Sequence, residues 1–352
     1  MKIVTIVGAR PQFIKAATIS RVIAERTDIE EVLVHTGQHY DANMSEIFFK
    51  ELNIPHPGYN LGVGSGSHAV QTAQMLTGIE EILLKEKPEW TLVYGDTNST
   101  LAGGLASVKI HVPVAHVEAG LRSFNHEMPE EINRIITDRI ADLLFAPTPT
   151  AVENLKKEGL EGITAFSGDV MFDSILFYRE QIKKTPEKYK TRVPGDKYML
   201  ATIHRAENTD HPENMRNILE AFEKSGKIIV LPIHPRTRKT ITESYKIPNN
   251  VHIIDPVGYL EMLKLTMDAE KVLTDSGGLQ KEAYFMGTPC ITLRTETEWL
   301  ETVHDDWNTV TGTNISAIME AIERPFPATL QKNLFGDGNA AEKIVGHLAS
   351  AR

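Results

Sequence analysis

Three acidic residues stand where a carboxylate could take part in proton transfer. Asp96 and Glu118 each follow a short apolar segment that is typical of a strand, and Glu130 begins a helical segment behind Pro129. Carboxylates are common general acids and bases in enzymes. Each acid also has a structural interpretation: Asp96 could cap a turn, and Glu118 could pair with Arg122 four residues later. Because all three fall at the ends of predicted elements, we interpret them as acid/base candidates.

The helical segment after Pro129 carries a second acid, Glu131, directly after Glu130. Acidic residues at a helix N-terminus complement the helix dipole, so both could serve that role alone. Arg134 would then be the i,i+4 partner of Glu130. We assign Glu131 only the role of a helix-terminal charge, and Glu130 is the catalytic candidate of the pair.

Basic residues follow the ends of other predicted strands, in both halves of the chain. Singly, each could be a surface charge or a hydrogen-bonded core histidine. As a set at strand ends they favour the binding of an anionic ligand, such as a phosphate group. The set comprises Arg10, Lys15, His204, Arg205, His234 and Arg236.

The segment Ser276-Gly277-Gly278 marks the start of a predicted helix. Glycine lets the backbone approach a ligand closely, and the free N–H groups of a helix N-terminus suit a diphosphate. A plain strand-to-helix turn capped by Ser276 is an equal alternative. Glu282 lies on the same predicted helix, where its carboxylate could accept two ribose hydroxyl groups or simply face solvent.

These candidates are positioned by alternating strands and helices. Continuous rather than alternating apolar strands, each followed by a helix, predict parallel sheets covered on both faces, as in α/β proteins. Ligands of such sheets bind beyond the carboxyl ends of the strands, where the candidates fall. The predicted strands are Lys2–Val7, Glu31–His35, Trp90–Tyr94, Val112–His116, Leu143–Ala146, Tyr198–Thr202, Lys227–Leu231, Val251–Ile254, Lys271–Leu273 and Pro289–Leu293.

The strands form two series, separated by a polar stretch at 185–197. We therefore predict two Rossmann-like, doubly wound domains facing across a cleft, with the boundary between Gly168 and Lys197. Residues 1–170, joined by a C-terminal helix at 340–352, would form the N-terminal domain with the carboxylates. Residues 171–339 would form the second domain.

Composition narrows the class of protein. The chain has 352 residues, of which 41% are hydrophobic and 24% charged, as in soluble globular proteins. The net charge of -10 argues against nucleic-acid binding. The sequence has no apolar run long enough to span a membrane and no signal-peptide pattern, and it contains only one cysteine, Cys290. We therefore expect a cytoplasmic protein. Without GxGxxG, P-loop, HExxH or Cys/His patterns, no nicotinamide, zinc or other cofactor is expected.

Taken together, these motifs resemble the non-hydrolysing UDP-N-acetylglucosamine 2-epimerase family, which has the GT-B fold. The likeness extends over essentially the whole chain, in order and spacing. It rests on Gly8-Ala9-Arg10-Pro11, Gly95-Asp96-Thr97, His116-Val117-Glu118-Ala119-Gly120-Leu121-Arg122, Pro129-Glu130-Glu131, His204-Arg205, His234-Pro235, Asp275-Ser276-Gly277-Gly278 and Gly336-Asp337-Gly338.

The resemblance implies a role for each candidate residue. Asp96, Glu118 and Glu130 would be the catalytic carboxylates, with His204 beside the diphosphate. The groups that hold UDP would be Arg10, Lys15, His234, Ser276, Gly277, Gly278 and Glu282. The implied reaction eliminates UDP to give 2-acetamidoglucal and adds it back to give the C2 epimer, in a homodimer without metal or nicotinamide.

Two departures from the family pattern stand out. Asp41 replaces a glutamine in the segment of a substrate-binding allosteric site, and Trp299 replaces the arginine of a Thr-Glu-Arg segment. Thr295-Glu296-Thr297-Glu298-Trp299 and Arg122-Ser123-Phe124-Asn125 resemble a subgroup that acts on UDP-2,3-diacetamido-2,3-dideoxy-glucuronate. That substrate is the first alternative; a hydrolysing epimerase, a GT-B glycosyltransferase and a non-catalytic UDP-sugar sensor are the others.

Overall fold

The computed structural model describes residues 1–37, 55–191, 193–195, 197–233, 235–328 and 331–351. The chain folds as two compact units. The first consists of Met1–Ser174 and Asn333–Arg352, and the second of Ile175–Lys332. Within the described residues, no helix combines the length and apolar character needed to cross a bilayer.

The first unit is built on a seven-stranded sheet in which every pair is parallel, in the order β3-β2-β1-β4-β5-β6-β7. All five residues of its central strand β4 are buried, as expected for a sheet covered on both faces. The strands are β1 Lys2–Val7, β2 Glu30–His35, β3 Tyr59–Asn60, β4 Trp90–Tyr94, β5 Val114–Val117, β6 Leu143–Ala146 and β7 Thr164–Phe166. The helices are α1 Arg10–Ala24, α2 His68–Glu86, α3 Asn98–Lys109, α4 Pro129–Ile140 and α5 Pro149–Lys157. A further helix, α6 Val170–Lys184, begins in this unit, and its residues from Ile175 onward belong to the second.

The second unit has a six-stranded sheet, also parallel throughout, in the order β10-β9-β8-β11-β12-β13. Its core includes Leu200, Ile218, Phe222 and Leu273, each fully buried. The strands are β8 Met199–Thr202, β9 Ile229–Pro232, β10 Val251–Ile254, β11 Val272–Thr274, β12 Cys290–Thr292 and β13 Asn308–Val310. The helices are α7 Ala206–Thr209, α8 Pro212–Ser225, α9 Pro235–Ser244, α10 Tyr259–Asp268, α11 Gly277–Met286, α12 Leu300–His304 and α13 Ile315–Glu323.

A last helix, α14 (Ala340–Ser350), belongs to the first unit. Its N-terminus docks on Asp173, whose Oδ2 accepts a hydrogen bond from the Ala341 N–H at 2.8 Å. Burial raises the pKa of Asp173 to about 7; the Ala341 N–H opposes the rise, and the charges of Glu342 and Asp169 add to it. Asp173 therefore titrates near neutrality at the junction of α6 and α14.

The predicted α/β class with two parallel sheets is confirmed, and all ten predicted strands are present, several with ends shifted by one or two residues. Among the residues that the structure describes, the sequence prediction missed three strands: β3, β7 and β13. Each is only two or three residues long and lies at the edge of its sheet. So short a segment leaves almost no apolar run to recognise in the sequence.

Candidate active site

The Glu118 carboxylate lies at the carboxyl edge of the first sheet, beside the turn that carries Asp96. A Cβ atom placed on Gly95 would stand 3.1 Å from Glu118 Oε2 and 3.4 Å from Lys15 Nζ. Lys15, on α1, donates a hydrogen bond to Glu118, and both side chains are more than nine-tenths buried. The two side chains therefore form a shielded ion pair beside the Gly95-Asp96 turn.

The backbone at Glu118 is held in an unusual conformation. Glu118 has φ +71, a left-handed value that is uncommon for a residue with a side chain. The N–H groups of Glu118 and Ala119 both donate to the Phe145 carbonyl at 3.1 Å. At Gly120, where φ is +82, a Cβ would lie only 2.5 Å from the Ala151 carbonyl. The surrounding backbone thus fixes the direction in which the Glu118 side chain leaves the strand.

A buried network of charged and polar side chains holds the backbone at Gly95 and Gly120 in place. His116 is fully buried, with Nδ1 2.7 Å from Asp138 Oδ1 and Nε2 2.7 Å from the Gly95 carbonyl. Each ring nitrogen thus lies within hydrogen-bond distance of an oxygen atom, and the two contacts fix the orientation of the ring. Asp138 also accepts from the Gly120 N–H at 3.1 Å and pairs with Arg122 at 2.8 Å. Burial raises the pKa of Asp138, but these partners outweigh it and hold that pKa below its usual range.

Asp96 is half-buried and paired with a cation. Arg134 donates to Asp96 Oδ2 at 2.6 Å and to Glu131 at 2.8 Å. Asn133, also on α4, donates to the Asp96 carbonyl at 2.9 Å. The first turns of α4 are thereby tied to the β4 turn, and this brings Glu130, one turn before Asn133, to the same edge of the sheet.

Glu130 and Glu131 have opposite environments. Glu130 is exposed, whereas Glu131 is 1% exposed and accepts the backbone N–H groups of Ser123 at 2.9 Å and Phe124 at 3.0 Å. Burial raises the pKa of Glu131, but the hydrogen bonds from Ser123, Arg134 and Phe124 bring it below its ordinary value. The prediction of a mere helix-terminal role for Glu131 was wrong, since its carboxylate anchors a loop.

Arg122 and Arg134, which helical spacing offered as structural partners of Glu118 and Glu130, have other partners in the structure. Arg122 pairs with Asp138 and with Glu158, at 2.7 Å, rather than with Glu118. Arg134 pairs with Asp96 and Glu131 rather than with Glu130. Helical spacing alone could not reveal these partners, which come from other elements. Glu118 pairs with the lysine of α1, and Glu130 is exposed.

In the second unit, His204 is oriented by a buried aspartate. Asp275 is fully buried and accepts the backbone N–H groups of His204 and Arg205 at 3.0 Å, and the Asn208 amide at 3.0 Å. Nδ1 of His204 lies 3.2 Å from Asp275, and its side chain is 58% exposed. Burial raises the pKa of Asp275, yet the hydrogen bonds from His204 and its other donors lower it overall. The ring is thus held through Nδ1, with most of its surface open to a ligand.

Helix α11 begins at the carboxyl edge of the second sheet. Ser276 is its N-cap and accepts the Leu279 N–H at 3.4 Å. Gly278 and Glu282 are four residues apart, so they share one face of the helix, and both are at least partly accessible. The capping interpretation and the ligand interpretation of this segment are therefore compatible: the cap satisfies one N–H, and the remaining free N–H groups of the first turn stay available to an anion.

Gly277 has a further, intramolecular reason for being glycine. A Cβ at that position would overlap the Glu298 carboxylate, which accepts a hydrogen bond from Arg294 at 3.0 Å. Nearby, the buried Lys281 ammonium stands 4.0 Å from the centre of the Trp299 ring. The segment that contains Glu298 and Trp299 thus packs directly against the start of α11.

Comparison with known proteins places these features in a family. The sequence model described as UDP-N-acetylglucosamine 2-epimerase matches residues 21–349. A UDP-N-acetylglucosamine 2-epimerase homolog of Methanococcus maripaludis is 56% identical over 353 residues, covering 98% of each chain. The chain belongs to the UDP-N-acetylglucosamine 2-epimerase family. It is therefore a member of a family of carbohydrate isomerases.

Two further relatives within the family bear on the substrate. The UDP-2,3-diacetamido-2,3-dideoxy-D-glucuronate 2-epimerase of Pseudomonas aeruginosa is 51% identical over 357 residues, 99% of each chain. The crystal structure of the Methanocaldococcus jannaschii UDP-GlcNAc 2-epimerase, in complex with UDP-GlcNAc and UDP, superposes with a TM-score of 0.88 at 44% identity. The match covers 99% of this chain and 100% of the other.

The structure brings the predicted site residues of this family member into two groups, one on each sheet. Within the first unit, Lys15, Asp96, Glu118 and Glu130 gather at the carboxyl edge, and Arg10 begins α1 at the same edge, exposed. In the second unit, the carboxyl edge carries His204, Ser276, Gly277, Gly278 and Glu282. His234, the side chain of Arg236 and the Gln38–Asp41 segment lie outside the described residues. Over the described part of the chain, no three His, Cys, Asp or Glu side chains are arranged to hold a metal ion.

Sequence reasoning missed the residues that position these groups. Gln12 is buried and accepts the N–H groups of Gly8 and Ala9, while its amide donates to the Tyr94 carbonyl at 2.8 Å. It thereby joins the carboxyl ends of β1 and β4. His116 lies within a motif recognised in the sequence, and Gln12 directly follows another, so their place beside the candidate residues was the available signal.

Proposed function

We propose that this family member is a non-hydrolysing UDP-N-acetylglucosamine 2-epimerase that interconverts UDP-GlcNAc and UDP-ManNAc. The observation that carries the proposal is the Glu118 carboxylate, buried with Lys15 and in contact with the Gly95-Asp96 turn. It supports the proposal because two acidic groups at neighbouring strand ends, with Glu130 close by, can serve the two proton transfers that epimerisation requires.

The chemistry begins with a C2–H bond that is not acidic, because no carbonyl group adjoins C2 in the sugar ring. As the anomeric C1–O bond breaks, its electron pair leaves with UDP and C1 gains oxocarbenium character. The C2 proton becomes acidic and passes to a carboxylate, which leaves 2-acetamidoglucal. In the return step a protonated carboxyl group delivers a proton to the opposite face of C2, while a UDP oxygen attacks C1.

No step of this cycle transfers a hydride or an electron to another molecule, so this route needs no redox cofactor. It does need acid/base groups on both faces of the sugar, and Asp96, Glu118 and Glu130 are the three we assign. Water must be excluded while the glucal is held, because attack by water at C1 would convert the enzyme into a hydrolase.

The second unit would bind the leaving group. The N-terminal turn of α11 offers N–H groups and the positive end of a helix dipole, both suited to a diphosphate. His204 lies on the neighbouring strand end, oriented by Asp275, where it can stabilise negative charge on the departing phosphate. We assign ribose binding to Glu282 and phosphate binding to Arg10.

A second candidate substrate is UDP-2,3-diacetamido-2,3-dideoxy-glucuronate. The 51% identity with the Pseudomonas aeruginosa enzyme of that name favours it, as does Trp299 in place of the family's arginine. The chemistry at C1 and C2 would be the same. Measuring kcat/KM for both substrates with one enzyme preparation separates the two, and at least a tenfold preference decides the assignment.

The test of the proposed reaction is incubation with UDP-GlcNAc, followed by chromatography of nucleotides and sugars. We expect UDP-GlcNAc and UDP-ManNAc to reach equilibrium without added metal, NAD or acceptor, and without accumulation of free UDP. Free UDP with free N-acetylmannosamine would instead identify a hydrolysing epimerase, and dependence on an acceptor a glycosyltransferase.

We further propose that the enzyme works in the cytoplasm as a homodimer that supplies precursors for cell-surface polysaccharides. Sedimentation analysis would test the homodimer, and cell fractionation would test the location.

A further inference from the structure

The loop between Gly120 and α4 presents one aromatic ring to solvent. Phe124 is 75% exposed, the most exposed of the large apolar side chains among the described residues. Its backbone has φ +57, in the left-handed region that favours glycine. Exposure of the ring and strain of the backbone both disfavour phenylalanine here, so folding alone does not account for it.

This loop is nevertheless rigidly tied. The Phe124 N–H and its neighbour at Ser123 both donate to the buried Glu131 carboxylate. Asn125 closes a turn by accepting the Glu127 N–H on its side-chain oxygen at 3.0 Å, and its carbonyl accepts the Met128 N–H at 3.1 Å. The ring therefore projects from a fixed backbone.

The same anchor connects the loop to the acid/base groups. Glu131 also binds Arg134, which binds Asp96, so two side chains link the Phe124 backbone to a candidate catalytic carboxylate. Glu130 directly precedes the anchor. Phe124 is thus presented at the edge of the sheet where the sugar would react.

We propose that Phe124 contacts the amino-sugar ring of the substrate and helps to determine which sugar the enzyme accepts. This inference rests on the proposed function. One face of a pyranose carries mainly C–H groups, and acetamido substituents carry methyl groups, so both can pack against an aromatic ring. Binding of the sugar covers the exposed ring and offsets the cost of holding it in place.

Phe124→Gly is the variant that separates function from folding. Glycine adopts φ +57 without strain, so the variant keeps the loop and melts at or above the wild-type temperature. We expect kcat/KM for the UDP-amino sugar to fall at least about tenfold, while the dissociation constant of UDP alone stays within about twofold. Phe124→Trp, which keeps an aromatic face, should retain most of the activity.

Lys87→Gly is the matched control. Lys87 also has a left-handed backbone, with φ +48, but it precedes β4 and lies at the amino edge of the sheet. Its replacement relieves the same kind of strain far from the acid/base groups, so kcat/KM should not change.

Unchanged kcat/KM in Phe124→Gly would overturn the inference, and so would an equal loss in Lys87→Gly. A changed oligomeric state with unchanged kcat/KM per site would also overturn it, because it would assign the ring to contact with a second copy. If the wild-type protein turns over neither UDP-GlcNAc nor the diacetamido uronate, the proposed function fails first. If the wild type turns over substrate and kcat/KM is unchanged in Phe124→Gly, only this inference is refuted.

Discussion

Replacement of Glu131 by glutamine should destabilise the first unit, although the sequence predicts a mild effect. The carboxylate is 1% exposed and accepts three hydrogen bonds, two from backbone N–H groups and one from Arg134. A glutamine has one acceptor oxygen, so its amide group must face a donor at one of these contacts. Hydrogen bonds to charged groups contribute about 1.5–3 kcal/mol each, and a buried donor left without an acceptor adds a penalty of about 1–3 kcal/mol.

We therefore expect Glu131→Gln to lower the free energy of unfolding by about 2–4 kcal/mol, or the melting temperature by roughly 5–10 °C. Urea unfolding followed by circular dichroism measures the first quantity, and calorimetry the second. Glu130→Gln is the matched control: the neighbouring side chain is exposed, so stability should stay within about 0.5 kcal/mol of wild type. A Glu131→Gln protein as stable as Glu130→Gln would refute the anchoring role.

Three further changes test other parts of the structure. The pKa of Asp173 is raised to about 7 in the folded state, so the protonated carboxyl group stabilises the fold. Its contribution to the free energy of unfolding should fall by about 1.4 kcal/mol per pH unit between roughly pH 4 and pH 7. Asp173→Asn should abolish this contribution, which urea unfolding at pH 5 and pH 8 measures. Glu118→Gln and Glu130→Gln should each lower turnover at least about 100-fold, while the UDP affinity measured by calorimetric titration changes little. If turnover is unaltered in either variant, the residue replaced in it is not an acid/base group. Gly277→Ala should displace the Glu298 carboxylate and weaken UDP binding without unfolding the protein, so wild-type UDP affinity would contradict a phosphate site at this glycine.

The sequence was sufficient for the architecture because the buried strands leave a direct signal. Strands such as β4, apolar at nearly every position, can only be central strands of a covered parallel sheet. The order of strand, polar loop and helix then predicts that Asp96 and Glu118 lie at the same edge, as the structure has them. Edge strands such as Tyr59–Asn60 carry no such signal, because their pairing is set by the tertiary fold.

Side-chain partners could not be predicted in the same way. Helical spacing assigned Arg134 to Glu130, whereas the structure gives it to Asp96, which is 38 residues away in sequence. Burial of Glu131 was equally hidden, because nothing in the segment Pro129-Glu130-Glu131 shows which acid faces inward. That distinction depends on the loop at Ser123 and Phe124, whose N–H groups need an acceptor.

Reversible epimerisation by the proposed route requires loss and return of the C2 proton. NMR of UDP-GlcNAc incubated with the protein in D₂O follows both events. We expect UDP-ManNAc to appear without added NAD or metal, and deuterium to enter C2 of both epimers. Epimerisation with the C2–H fully retained, or irreversible release of free UDP, would contradict this route.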